Sequence, residues 1–213
     1  MLKQIINSLP DTNGCVVVLS GGLDSTTAMR LAVERYGAEN VSAITFDYGQ
    51  RQRVEIEKAK ASTSKLGVAH KIIDMSFYGE INEGFSSNVK GEVAMPTIQD
   101  VIGDAQPKTY LANRNMVMLS IAAAYAETRG VEYIFCGIQS TDNYSYWDTT
   151  PSFAAAMNDV FKQNRKHQIK LIAPFNLLSK EDEVNLLLEL DGNVNLLEHS
   201  LTCYNPNESG EIS

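Results

Sequence analysis

A parallel α/β fold, a doubly wound sheet of about five strands with helices on both faces, is what this sequence predicts first. Three observations carry that expectation. Short runs rich in valine and isoleucine recur along the chain, stretches of helical spacing alternate with them, and glycine turns separate the two. Residues 15–19 form an apolar run between Gly14 and Ser20-Gly21-Gly22, which suits a strand buried on both faces. Ala28, Leu31, Ala32 and Tyr36 then recur at helical spacing until Gly37. A second strand is expected at 41–46, and a second helix follows with Ile56, Ala59, Thr63 and Leu66 inward and Gly67 at its end. Residues 70–74 complete a third strand.

Periodicity fails from 76 to 108, where Gly79, Gly84, Gly91, Pro96, Gly103 and Pro107 punctuate a polar stretch. A connection of that length inside one domain is expected to be a mobile lid over a site, spanning 76–109. Helical spacing resumes at 115–129, apolar nearly all round through Met116, Val117, Met118, Leu119 and Ile121, and so expected to be well buried. A fourth strand is read at 131–136. Thr150 followed by Pro151 opens a helix to about residue 165, and 169–173 is the last strand. Ser179 caps a final helix with Lys180, Glu181 and Asp182 in its first turn, Val184, Leu187 and Leu188 inward, and Gly192 beyond it.

Composition narrows the function. The 213 residues are 44% apolar and 21% charged, enough for one domain with an ordinary core and incompatible with global disorder. Apolar runs fall short of the roughly 18 residues a membrane span requires, the 120–126 run being closed by Glu127 and Arg129. Residues 1–10 lack the features of a signal peptide, so a cytoplasmic protein is expected. Cys15, Cys136 and Cys203 are too few and too scattered for a disulfide framework. A net charge of −8 disfavours a broad nucleic-acid interface and favours small-molecule partners.

In a parallel sheet, ligands bind beyond the carboxyl ends of the strands, which directs attention to the loop after strand one. Ser20-Gly21-Gly22-Leu23-Asp24-Ser25-Thr26 joins that strand to the first helix. Glycines admit close backbone approach, first-turn amides and the helix dipole favour an anion, and three hydroxyls add donors. The alternative is a plain turn capped by Asp24 or Ser25. No lysine follows, so it is not a G-x-x-x-x-G-K-[ST] loop, and it does not fit G-x-G-x-x-G.

The loop resembles the S-G-G-x-D-S signature of the PP-loop ATP pyrophosphatases, whose fold is adenine-nucleotide α-hydrolase-like. That resemblance implies ATP with Mg²⁺, attack of a substrate oxygen on the α-phosphorus, and departure of pyrophosphate. Further residues narrow the likeness. Phe46-Asp47-Tyr48-Gly49-Gln50-Arg51, Val54-Glu55-Ile56, Arg114-Asn115, Gly137 with Thr141-Asp142, Ala173-Pro174, Ser179-Lys180 and Leu201-Thr202-Cys203-Tyr204 together resemble the 7-cyano-7-deazaguanine synthase family. Its members make the nitrile precursor of queuosine (preQ0) from 7-carboxy-7-deazaguanine, ammonia and ATP, and the resemblance also implies a homodimer. Carried onto this chain, it implies catalytic roles for Asp24, Ser25, Arg114 and Lys180. ATP would be held by residues 20–26 with Phe46, Asp47, Tyr48, Arg51 and Gly137, and the deazaguanine by Asn115, Thr141, Asp142, Tyr146, Trp147 and Asp148.

On the residues alone, Asp47 and Tyr48 are ribose or adenine contacts, or else an Asx-turn and a packing ring. Arg51 opens on the sheet's mouth or is a solvated helix start. Arg114 suits bidentate phosphate or carboxylate binding or a structural ion pair, and Lys180 a pyrophosphate contact or a surface lysine. Lys108 ends the lid and is placed to swing in with it. Trp147 stacks on a purine-like ring or simply packs, and His70, His167 and His199 are structural or solvated.

Two departures stand out. The family's Gly-Tyr-Pro-Asp-Cys-Arg segment is here Ser145-Tyr146-Trp147-Asp148-Thr149-Thr150, which keeps only the tyrosine and the aspartate. Its four-cysteine zinc site is represented by Cys203 alone, in a shortened tail at 193–213, so zinc is not expected. These departures raise an alternative. Synthase-like relatives in bacterial antiviral defence, including noncanonical CBASS systems, conjugate the activated deazaguanine to the amino terminus of a partner protein. An inactive nucleotide-binding module is the third possibility.

Overall fold

The computed structural model describes residues 2–97, 100, 104, 106–139, 146–176, 178–191, 195–196 and 200. Its sheet has five strands in the order β3-β2-β1-β4-β5: β1 (Cys15–Val18), β2 (Val41–Asp47), β3 (Ala69–Asp74), β4 (Tyr133–Cys136) and β5 (Lys170–Ile172). All four pairings are parallel, with Val16 opposite both Ser42 and Ile134, and Val17 opposite Ala43 and Phe135. The helices are α1 (Leu2–Ser8), α2 (Leu23–Tyr36), α3 (Val54–Leu66), α4 (Ser76–Ile81), α5 (Arg114–Thr128), α6 (Pro151–Phe161) and α7 (Lys180–Asp191). The doubly wound expectation is borne out.

Both faces of the central strands are apolar because both are covered. Side chains alternate across a strand. Cys15, Val17, Ala43, Tyr133 and Phe135 therefore meet α1, α2 and α7 through Leu9, Met29, Leu31, Leu186 and Leu190. Val16, Ile44, Phe46, Ile134 and Cys136 meet α5 and α6 through Met118, Leu119, Ala122, Phe153 and Met157. Such side chains are each worth about 1.5–3 kcal/mol when fully buried. The chain runs from β1 outward to β2 and β3, then crosses to β4 and β5 on the other side. The crevice of a doubly wound sheet lies at that reversal, between the carboxyl ends of β1 and β4.

Several expectations need correction. Helix α1 was missed, although Leu2, Ile5, Ile6 and Leu9 stand at i, i+3, i+4 and i+7 and pack on the α2 face of the sheet. A short helix, α4, occupies the start of the segment expected to lack structure. Helix α5 has one buried face rather than being buried all round: Met118, Leu119, Ala122, Ala123 and Ala126 are covered, whereas Met116 is 39% exposed. Helix α6 ends at Phe161, four residues early. In α7, Leu187 is buried and Val184 partly buried as expected, but Leu188 is 55% exposed; the fully buried stripe is Glu183, Leu186, Leu187 and Leu190, headed by an acid.

Two helix starts carry side-chain caps. Thr150 Oγ1 accepts from Phe153 N at 3.1 Å, with Pro151 in the first turn. Ser179 and Asp182 close a capping box, Ser179 Oγ donating to Asp182 Oδ2 at 2.7 Å and accepting from Asp182 N at 3.1 Å. Among the described residues, no helix is long and apolar enough to cross a membrane.

Candidate active site

The loop from Ser20 into α2 lies at the crevice, and its own hydroxyls hold it. Ser20 N donates to Ser25 Oγ at 3.1 Å, Ser25 Oγ donates to Gly22 O at 3.1 Å, and the Ser20 and Ser25 hydroxyls meet at 3.0 Å. The helix N-cap is Gly22, so Ser25 acts as a clasp across the loop rather than as the cap. The first amides of an α-helix have no partner within the helix, and these point where an anion is favoured.

Two glycines let neighbouring backbones close on this loop. Gly21 has φ +90°, and a Cβ there would lie 2.0 Å from Glu55 O, so α3 packs directly against the turn. Gly137 follows β4, and a Cβ on it would lie 2.6 Å from both the Asp24 carbonyl carbon and Ser25 N. Both are therefore required by the packing of the loop, in addition to any approach of a ligand.

Lys180, at the first position of α7, reaches back across the crevice. Its ammonium forms an ion pair with Asp24 and stands 3.4 Å from Glu183 Oε2. Three ionisable groups thus meet beside the loop. Glu183 is fully buried, and its carboxyl is pushed up to about 8, chiefly by burial and then by the nearby Asp24 charge, with Lys180 pulling the other way. Glu55 on α3 is likewise raised to about 7 by burial, opposed by the Arg114 charge. Glu183 was not singled out in the sequence; its only signal there was an acid in register with Leu186, Leu187 and Leu190.

Other expected residues serve the walls. Phe46 is in the core. Asp47 accepts from Gly49 N at 3.3 Å and pairs with Arg53, which is an Asx-type turn. The Tyr48 ring is buried edge-on against Tyr78, their centroids 6.1 Å apart. Arg51 ties down the segment after α4: Nε donates to Val89 O at 2.9 Å, and Nη2 to Gly91 O and Val93 O at 2.7 Å. Lys108 accepts from Ser87 N at 2.8 Å through its carbonyl. Asn82, buried between, donates to Tyr78 O and accepts from Ala112 N.

Arg114 begins α5, and its charge acts on Glu55 and Tyr78. Asn115 and Asp148 hold each other: Asp148 Oδ2 accepts from Asn115 N at 3.0 Å, and Asn115 Nδ2 donates to Asp148 O at 2.8 Å. Beside them an aromatic shelf forms. Tyr146 shares a hydrogen bond with Thr109 at 2.6 Å and lies 5.8 Å from Tyr110, while Trp147 donates to Tyr110 OH at 2.9 Å and stands edge-on to Phe153. Trp147 remains 45% exposed.

His70 is partly buried between Thr45 and Thr63, and His167 is half-buried near Asn164. Thr141, Asp142, His199 and Cys203 lie outside the described residues. Among the described residues no group of three or more His, Cys, Asp or Glu is placed to hold a metal.

A family model described as queuosine biosynthesis protein QueC matches residues 14–212. The 7-cyano-7-deazaguanine synthase of Chromobacterium violaceum is 35% identical over 191 residues, covering 89% of this chain and 80% of that one. The synthase of Pseudoalteromonas atlantica is 36% identical over 193 residues, covering 91% and 85%. Among solved structures, the NH3-dependent NAD synthetase of Campylobacter jejuni aligns with a TM-score of 0.52 at 17% identity, covering 93% of this chain and 73% of that one. The U34-tRNA thiolase of Methanococcus maripaludis aligns at 0.51 and 16%, covering 96% and 66%. These structural likenesses speak for the fold, which is that of the PP-loop ATP pyrophosphatases.

Proposed function

This chain belongs to the QueC family of queuosine biosynthesis proteins, and on that premise we propose how its site makes 7-cyano-7-deazaguanine from 7-carboxy-7-deazaguanine, ammonia and ATP. The observation that carries the reading is the clasped loop at the β1/β4 crevice, with the Lys180 ammonium drawn over it from α7. In the first stage a carboxylate oxygen of the substrate attacks the α-phosphorus and pyrophosphate leaves. Ammonia then attacks the activated carbonyl, displacing AMP and forming an amide. Activation of the amide oxygen by a second ATP, followed by loss of AMP and the two amide protons, gives the nitrile.

The protein's part is to hold charge where it develops. First-turn amides of α2 and the Lys180 ammonium face the departing pyrophosphate, and Arg114 at the start of α5 serves the carboxylate or the phosphate. Asp148 and Asn115 fix the start of α5, and Tyr146 and Trp147 offer the ring its aromatic shelf. Magnesium is ordinarily held by one or two carboxylates together with substrate phosphates. Asp24, partly exposed beside the loop, fits that requirement, and the ion when bound supplies charge neutralisation. The reading includes two copies of the chain acting together.

The relatives named above are 7-cyano-7-deazaguanine synthases, which supports this reading over the protein-conjugating alternative and the inactive module. The test is incubation with ATP, Mg²⁺, 7-carboxy-7-deazaguanine and ammonium, followed by mass spectrometry. Nitrile with AMP and pyrophosphate is the expected result, whereas unchanged carboxylate and no AMP would overturn the reading.

A further inference from the structure

Helix α7 carries one residue that its packing does not explain. Glu183 heads the inward stripe completed by Leu186, Leu187 and Leu190, all buried, and it is itself fully buried. An apolar side chain there would continue the stripe against Leu23 of α2 and Leu196. A carboxyl in that place pays a desolvation cost that stability does not reward unless its oxygens are satisfied. They are met only in part: Oε2 accepts from Lys180 Nζ at the long distance of 3.4 Å and the Asp24 carboxyl is near enough to share a proton, while Glu183 Oε1 has no hydrogen-bond partner of good geometry among the described residues. What the carboxyl does face is functional. Its ionisable neighbours are Lys180, one turn earlier on the same helix, and Asp24 in the first turn of α2.

One ammonium is thus shared by two carboxyls of different kinds. Asp24 sits on the loop and is partly exposed, so the cation that accompanies a nucleotide can compete with Lys180 for it. Glu183 is fully buried on α7, the helix that packs against α2. When pyrophosphate fills the loop and Asp24 is engaged elsewhere, Glu183 stays where it was, three residues from Lys180 on the same helix face.

We propose that Glu183 is a positioning residue, a fixed second acceptor that keeps the Lys180 ammonium over the loop while the α–β bond of ATP breaks. The proposal rests on the adenylation reading above. It assigns Glu183 no contact with ATP; its effect runs through Lys180 alone.

The experiment compares Glu183→Leu, Glu183→Gln, Lys180→Met and the Glu183→Leu/Lys180→Met double variant of the full chain, measuring AMP release against ATP concentration and the melting temperature. Glu183→Leu should melt at or above the wild-type temperature and lose about 10- to 100-fold in kcat, the size expected of a misplaced catalytic group, with KM for ATP changed far less. Glu183→Gln keeps the acceptor and should recover kcat to within about threefold. In the Lys180→Met background, Glu183→Leu should cost nothing further, because residues acting as a unit are not additive. Wild-type kcat in Glu183→Leu would overturn the proposal, as would equal losses in the Leu and Gln variants or an additive double variant. If Glu183→Leu does not fold, Glu183→Ala, which also removes the acceptor, and its combination with Lys180→Met decide on the same kcat criteria. Failure of the wild-type chain to release AMP would instead refute the adenylation reading itself.

Discussion

Replacing Gly21 by alanine tests the claim that α3 is packed directly on the nucleotide loop. An alanine at φ +90° is strained by about 1–2 kcal/mol. The added Cβ would also fall 2.0 Å from Glu55 O and 3.2 Å from Ala59 N, contacts made by helix backbone, which cannot rotate away. Overpacking of that kind costs about 1–3 kcal/mol. The sum, about 2–5 kcal/mol, lowers Tm by about 5–15 °C for a chain of this size. Gly67 is the control: it has φ +69° and nothing within 4 Å, so alanine there pays only the backbone term, about 1 kcal/mol or 2–4 °C. Thermal unfolding and AMP release should be measured on both. Gly21→Ala should lose activity well below its melting point while Gly67→Ala keeps it. Indistinguishable melting and activity of the two variants would refute the packing argument.

Glu183 makes stability depend on pH: with its carboxyl raised to about 8, the folded chain holds a proton the unfolded chain has lost, so stability falls between about pH 4.5 and 8. Glu55, raised to about 7, acts in the same direction, and Glu183→Leu should visibly flatten Tm against pH; an unchanged slope would contradict the assignment. Asp148→Ala removes the acceptor for Asn115 N and leaves a buried joint open, costing about 1–3 kcal/mol in urea unfolding and weakening KM for the deazaguanine; wild-type values for both would contradict that role. Cys15 and Cys136 are buried thiols pushed up to about 12 by desolvation, so native protein at pH 8 should leave both unlabelled by a thiol reagent and denatured protein should label both.

Much of this was legible in the chain because parallel sheets impose strong local signals. Val16 and Val17 on opposite faces of β1, the glycine turn and the hydroxyl-rich start of α2 are contiguous in sequence, so the loop and its position could be read directly. What escaped depends on contacts far apart in the chain. Gly137 faces Asp24 and Ser25 across 112 or more positions, and Glu183 meets Asp24 only after α7 folds back on α2. The chain shows Arg51 at the mouth of the sheet but not that its guanidinium reaches the carbonyls of Val89, Gly91 and Val93. Backbone acceptors of that sort carry no residue signature. Leu188 was misplaced for a related reason: an inward acid hides the phase of its helix.

The most direct test of the whole account is mass spectrometry of the reaction products. With ATP, Mg²⁺, ammonium and 7-carboxy-7-deazaguanine, the wild-type protein should yield 7-cyano-7-deazaguanine with AMP and pyrophosphate, and Lys180→Met should consume the carboxylate at a greatly reduced rate. Product formation with ADP and phosphate in place of AMP and pyrophosphate, or undiminished turnover by Lys180→Met, would contradict it.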